Sequence, residues 1–149
     1  MTSQQQHFID DMGQQMVAWT LPRTSGRVYG YLLLQGGPVS ADQIAADLEV
    51  AKSGVSVAVR QLVAFGLARS VAQHGSRRLL HEAIYDLDTM LAARDAQMAN
   101  LIARLRHGAE VAPAGPPRRR LAEMATLVED LMDAIREVAE QRSARRRVS

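Results

Sequence analysis

The sequence has no cysteine and one tryptophan, and aromatic residues make up 4% of its 149 positions. The first absence excludes disulfides, thiolate metal sites and cysteine nucleophiles together, and it fits a reducing compartment. The second leaves core building to aliphatic side chains. Apolar residues are 47% of the chain, too many for a disordered polymer. No run approaches the roughly 18 apolar residues of a membrane span. The opening MTSQQQHFIDD lacks the basic and apolar stretches of a signal peptide. Together these features predict a soluble, cytoplasmic chain folded as one domain.

Catalytic constellations are missing as well. His7, His74, His81 and His107 are scattered, and His74 and His81 straddle a glycine turn with no acid cluster to complete a metal site. Ser53-Gly54-Val55-Ser56 does not match a nucleophile elbow, and there is no glycine-rich phosphate loop. Asp10-Asp11 reads as a solvated helix face. The expectation is a protein that is not an enzyme and uses neither cofactor nor metal.

What the sequence does have is an uneven distribution of charge beneath a net charge of +2. From Met1 to Val50 there are two arginines against five acids. From Ala51 to Glu82 there are Lys52, Arg60, Arg69, Arg77 and Arg78 against Glu82 alone. A basic island in a nearly neutral chain is the one-dimensional footprint of a polyanion-binding face.

Periodicity places the island. Ile9, Met12, Met16 and Trp19 recur at helical steps over 8–19, and Pro22 closes that helix. Arg27 to Leu34 reads as a second, largely buried helix ended by Gly36-Gly37-Pro38. Ser40 and Gln43 have the spacing of a capping box, with Val39 and Ile44 as its hydrophobic staple, so Ala41–Leu48 is a short helix. A second helix runs from Lys52 to Phe65 on an inner stripe of Val55, Val59 and Leu62, and Gly66 stops it. Residues 67–72 and 78–82 form two short strands turning through Gly75.

Beyond the hairpin the pattern changes. Ile84, Leu87, Leu91, Met98, Leu101 and Leu105 follow a heptad seam interrupted at Arg94. A breaker-rich connection spans Gly108 to Pro117. Leu121, Met124, Val128, Leu131, Ile135 and Val138 then alternate steps of three and four, a seam suited to helix pairing within or between chains. The final RSARRRVS reads as a frayed basic tail.

The predicted fold is therefore mostly α with a small β-hairpin wing: a winged helix-turn-helix over 27–83, an N-terminal helical part over 8–26 and a C-terminal helical part over 84–142, with a basic tail over 143–149. In a helix-turn-helix the second helix enters the DNA major groove while the first crosses the backbone. With Val55, Val59 and Leu62 inward, Lys52, Ser53, Ser56, Val57 and Arg60 face outward. Lysine and serine suit phosphates and base edges, and arginine pairs with guanine in bidentate fashion. Arg77 and Arg78 at the hairpin tip supply cations for phosphates or a narrow minor groove. A plain solvated helix face and a plain surface hairpin are the bland alternatives.

At this point LPRTSGRVYGYLLL, SADQIAADLEVAKSGVSVAVRQLVAFGLARSV and HGSRRLLHEA resemble the MarR superfamily of winged-helix regulators, nearest its GbsR-like branch. Leu21 to Arg27 is the most branch-specific part. The resemblance implies a homodimer joined by N- and C-terminal helices that represses or activates nearby genes; two paired recognition helices about one DNA turn apart would then read a pseudo-palindrome. The resemblance also implies release from DNA when a small molecule binds between the two functional parts. By position, Lys52, Ser53, Ser56 and Arg60 match recognition-helix contacts, and Arg77 and Arg78 match the wing. Three residues depart from the pattern: Ala51 replaces a capping serine, Glu49 a turn glycine, and Ser76 a wing aspartate that holds an arginine.

The dimerisation candidates are Ile9, Met12 and Met16 with Leu121, Met124, Val128, Leu131, Ile135 and Val138. Met16, Trp19, Tyr29 and Tyr31 are candidates for a small apolar effector's pocket, against a plain core reading. The competing functions are a protein-interaction module and an architectural DNA binder with little sequence preference. The basic island and the serines of the outer face favour sequence-specific, double-stranded DNA.

Overall fold

The computed structural model describes residues 1–148, without the side chains of residues 87 and 93. Leu87 of the first seam and Ser149 of the tail thus lie outside the described side chains and residues. The chain divides into two compact units, the first Met1–Asp86 and the second from Leu87 onward.

The first unit contains helices α1 (Ser3–Ala18), α2 (Arg23–Leu33), α3 (Ala41–Leu48) and α4 (Lys52–Ala64), with strands β1 (Val39–Ser40), β2 (Ala68–Ala72) and β3 (Leu79–Ala83). The strands form an antiparallel sheet in the order β1-β3-β2, with Ser70 and Val39 both opposite His81. Four helices around a small sheet with a β2–β3 hairpin make a winged helix-turn-helix, as the sequence predicts.

The first two helices begin earlier than periodicity predicts. Thr2 Oγ1 accepts from the Gln5 N–H while Gln5 Oε1 accepts from the Thr2 N–H, so a reciprocal capping box starts α1 at Ser3. Pro22, expected as a terminator, is instead the N-cap of α2, where its fixed φ of −60° leads the chain in. The helix therefore includes Thr24, Ser25 and Gly26. Gly26 lies against α1: a Cβ there would collide with the Met12 carbonyl oxygen and stand 2.6 Å from Met16 Cγ and 2.7 Å from Gly13 Cα. The α1–α2 seam closes on glycine, not on interleaved side chains.

The core of this unit gathers Ile9, Met16, Val28, Tyr31, Leu32, Ile44, Leu48, Val55, Val59 and Leu62. Ser40 caps α3 through its Oγ, which accepts from the Gln43 N–H at 3.1 Å. The other half of the expected capping box is not made; the Gln43 side chain turns instead to Asp47, its Nε2 donating to Oδ2 at 2.8 Å. Glu49 ends α3 in the left-handed region (φ 55°, ψ 45°), which explains why glycine suits that place and why a non-glycine residue is strained there. Strand β1 is not predicted by the sequence pattern. Two residues carry no periodicity, and their pairing with β3 is a tertiary event.

The second unit is an antiparallel hairpin of α5 (Leu87–Val111) and α6 (Pro116–Val148). Its inner face buries Ala125, Met132 and Ala139. Arg106 pairs with Glu129, Arg136 with Asp95 at 2.7 Å, and Ser143 donates to Asp88 at 2.8 Å. Three expectations are corrected in this region. Ile84 belongs to the first unit's core, not to the α5 seam; its N–H donates to the Leu67 carbonyl. The connection is shorter than Gly108 to Pro117, because Gly108 lies inside α5 beneath Leu121. The basic tail is helical to Val148, with Arg145, Arg146 and Arg147 in the last turn, where cations suit the helix dipole.

Candidate nucleic-acid interface

Helix α4 has two faces of opposite chemistry. Val55, Ala58, Val59 and Leu62 are buried, while Lys52, Ser53, Ser56, Val57 and Arg60 are exposed. The outer five thus share one accessible surface, with hydroxyls and a cation at the N-terminal end and a guanidinium one turn on. Ala51 is the N-cap and provides no side-chain acceptor, so its helix start has amide N–H groups that no side chain satisfies. The inner side is pinned to α2 by Ser25, fully buried, whose hydroxyl donates to Gln61 Oε1. Ser25 and Gln61 help line a cleft of about 320 Å³, together with Ser53 and Val57.

The wing is closed at its tip by backbone bonds. The Gln73 N–H donates to the Arg78 carbonyl and the Ser76 N–H to the Gln73 carbonyl, both at 3.1 Å, around Gly75 at φ +75°. Ser76, in the position of the absent aspartate, accepts the Arg78 N–H on its Oγ at 3.1 Å, stiffening the turn without charge. Arg77 and Arg78 are exposed. Arg69 pairs with Glu82, its register partner across β2–β3, so that part of the basic island is neutralised internally.

One residue that sequence reasoning missed links these parts. Asp42, in the first turn of α3, pairs with Lys52 Nζ at 2.8 Å and with an Arg78 guanidinium nitrogen at 3.8 Å. Lys52, followed by Arg78, holds its carboxyl below the usual carboxylate range. No local pattern in the sequence links Asp42 to Lys52 or Arg78. Only the packing of α3 beside α4 and the wing brings them together.

Other polar groups are structural. Tyr31 donates to Asp47 Oδ2 at 2.6 Å; burial, then this bond, push the phenol's pKa up, while the Tyr31 and Gln43 hydrogen bonds pull the Asp47 carboxyl down. His81, buried at the centre of the sheet, lies 2.9 Å from Ser70 Oγ, and burial draws its pKa below the usual value. His74 stands exposed at the wing tip, so these two histidines do not share a site. Among the described residues, no three His, Asp or Glu side chains gather as metal ligands, and no helix is long and apolar enough to cross a membrane.

The effector candidates are spread out. Met16 and Tyr31 are in the core, the buried Tyr29 hydroxyl donates to the Ile84 carbonyl at 3.1 Å, and Trp19 is 63% exposed. The Tyr29 and Tyr31 hydroxyls diverge toward different partners. The dimerisation candidates divide by helix. Ile9 and Met16 are buried within their own unit and Met12 is half-buried. On α6, Leu121 and Val128 are half-buried, whereas Met124, Leu131, Ile135 and Val138, together with Leu127, are exposed.

With this geometry in view, similarity to known proteins is informative. Over 128 residues the chain is 30% identical to the HTH-type transcriptional regulator MmpR5 of Mycobacterium tuberculosis, which covers 81% of this chain and 76% of that one. The chain belongs to the helix-turn-helix transcriptional regulators. This regulator is also 29% identical over 80 residues to YvaV of Bacillus subtilis, a match covering 54% of this chain and 45% of that protein, so it spans less than half of that relative. Its fold overlays the crystal structure of a transcriptional regulator with a TM-score of 0.83 at 26% identity, covering 95% of this chain and 99% of that one. No protein-family profile matches this regulator.

Proposed function

We propose that this regulator is a sequence-specific DNA-binding protein of the MarR superfamily, nearest the GbsR-like branch, acting as a homodimeric repressor at a pseudo-palindromic operator. The observation that carries the reading is the outer face of α4: Lys52, Ser53, Ser56, Val57 and Arg60 exposed together over a buried valine and leucine stripe. In the major groove, Arg60 is suited to guanine O6 and N7, and Ser53 and Ser56 to base edges or phosphates. Arg77 on the wing reaches phosphate or minor groove.

The homodimer is supported by α6. Met124, Leu127, Leu131, Ile135 and Val138 form an exposed apolar stripe on a helix whose other face already packs on α5. A stripe of this kind left in water is a liability that a second copy removes. Two copies would hold two α4 helices one DNA turn apart. An apolar effector that favours another dimer geometry would release the DNA.

Hydroxyl-radical footprinting on the regulator's own upstream duplex tests this reading. The expected pattern is two protected patches with centres about 10–10.5 base pairs apart. A single unphased patch, or none, would overturn it.

A further inference from the structure

We propose that Asp42 is a built-in phosphate mimic, which occupies Lys52 and Arg78 in the free protein and is displaced when they engage DNA. The inference rests on the DNA-binding reading and adds a control on its strength. Asp42 is a positioning residue: it acts through the two cations and does not itself touch the nucleic acid.

Three observations converge. First, one carboxylate serves both recognition surfaces, with one oxygen 2.8 Å from Lys52 Nζ on α4 and the other 3.8 Å from Arg78 on the wing. Second, Ser76 beside the two wing arginines is uncharged, and its Oγ accepts the Arg78 backbone N–H without offering the guanidinium a counter-charge. Arg78 therefore takes its counter-charge from α3. Third, all three side chains remain well exposed, at 49% for Asp42, 67% for Lys52 and 70% for Arg78, so a phosphate can approach and exchange with the carboxylate. A buried pair would resist that exchange, whereas an exposed pair is weak and screened by salt. The carboxylate thus sets a modest threshold that DNA must exceed, and it repels any phosphate that approaches with the pairs intact.

Asp42 also differs from the other acid beside the basic island. Glu82 is committed to Arg69 by strand register, on the β2–β3 ladder. Asp42 is the acid that bridges the recognition helix and the wing, so its removal frees cations on both.

The test is fluorescence anisotropy of the full chain on a labelled 30-base-pair duplex of random sequence, at 50 and 200 mM salt. Asp42→Asn should bind about 3- to 10-fold more tightly at 50 mM, the size expected for two exposed ion pairs given up, and the advantage should shrink at 200 mM. Asp42→Glu, which keeps the charge, should restore the starting affinity. In a Lys52→Ala/Arg78→Ala background, Asp42→Asn should have no effect. Unchanged or weaker binding by Asp42→Asn overturns the proposal. So does an equal gain in both backgrounds, which would be bulk charge, or an Asp42→Glu variant that behaves like Asp42→Asn. If neither the starting protein nor Asp42→Asn binds duplex at 50 mM, the DNA-binding reading fails, and the latch with it. If both bind equally, the latch fails alone.

Discussion

Replacing Gly26 by alanine should destabilise the first unit by about 3 kcal/mol, although alanine is the better helix former by about 1 kcal/mol in an open helix. The added methyl would collide with the Met12 carbonyl oxygen and stand 2.7 Å from Gly13 Cα. Both are backbone atoms, so no rotamer change relieves the contact. Helix α1 must move away from α2, and a shift of roughly 1 Å forfeits a quarter to a half of the dispersion at each contact along the seam. The seam carries Ile9 and Met16 into the core, so the loss spreads beyond the mutated position. Gly54→Ala is the internal control: nothing lies within 4 Å of its Cβ position, so it should gain about 0.5–1 kcal/mol. For a unit of this size, 1 kcal/mol moves the melting temperature by about 4–8 °C, so the two variants should melt about 14–32 °C apart. Thermal and urea melts at one fixed protein concentration measure this difference, because the stability of any self-associating protein varies with concentration. A Gly26→Ala protein as stable as its parent would refute the close-packed seam.

The remaining predictions concern the interface, the dimer and pH. Arg60→Ala should relax discrimination between operator and mismatched duplexes, while Arg77→Ala should weaken all duplexes about equally and reduce the salt slope by about 1; competition titrations separate the two. Leu131→Glu places a charge in the exposed α6 stripe and should shift the protein to monomer in sedimentation, with the helical signal kept. His81 has a folded pKa below its usual 6.5 because it is buried, so the unfolded chain binds its proton more readily. Stability from this group is therefore full above about pH 6.5 and is lost as pH falls through the lowered folded value. Urea melts at pH 7.5 and 5.0 should show that loss, and His81→Gln should reduce it.

Much of this architecture was legible because local chemistry set it. Ser40 begins α3, Gly66 and Gly75 mark the end of α4 and the wing tip, and the Val55, Val59 and Leu62 stripe orients α4. Legibility failed where local signals were ambiguous or the cause was tertiary. Pro22 read as an ending because proline both stops helices and precedes them. Gly108 read as a breaker because nothing local showed that it would lie beneath Leu121. Ala125 and Ala139 carry little hydrophobic signal, yet with Met132 they make the inner face of α6, while Leu127 and Leu131 stay exposed. Asp42 looked like an ordinary first-turn acid, and its partners lie on two other elements.

The stretch LPRTSGR, the most branch-specific part of the resemblance, has a physical basis in the fold. Pro22 opens α2, buried Ser25 holds Gln61 of α4, and Gly26 admits α1. Arg27 donates to Asp10 at 3.2 Å and to the Leu48 carbonyl at 3.5 Å. The segment ties α1, the end of α3 and α4 to one another, so its residue types serve the placement of α4.

The central claim is that α4 and the wing read DNA by sequence. Its most direct test is titration of purified protein against labelled duplex from its own upstream region, at 50 and 200 mM salt, with scrambled duplex as competitor. A dimer touching about 6–10 phosphates should lose on the order of 10³–10⁵ in affinity across that range, and its binding at the lower salt should survive the competitor. Binding that the scrambled duplex abolishes at equal concentration would contradict the claim and leave a winged helix that holds nucleic acid by charge alone.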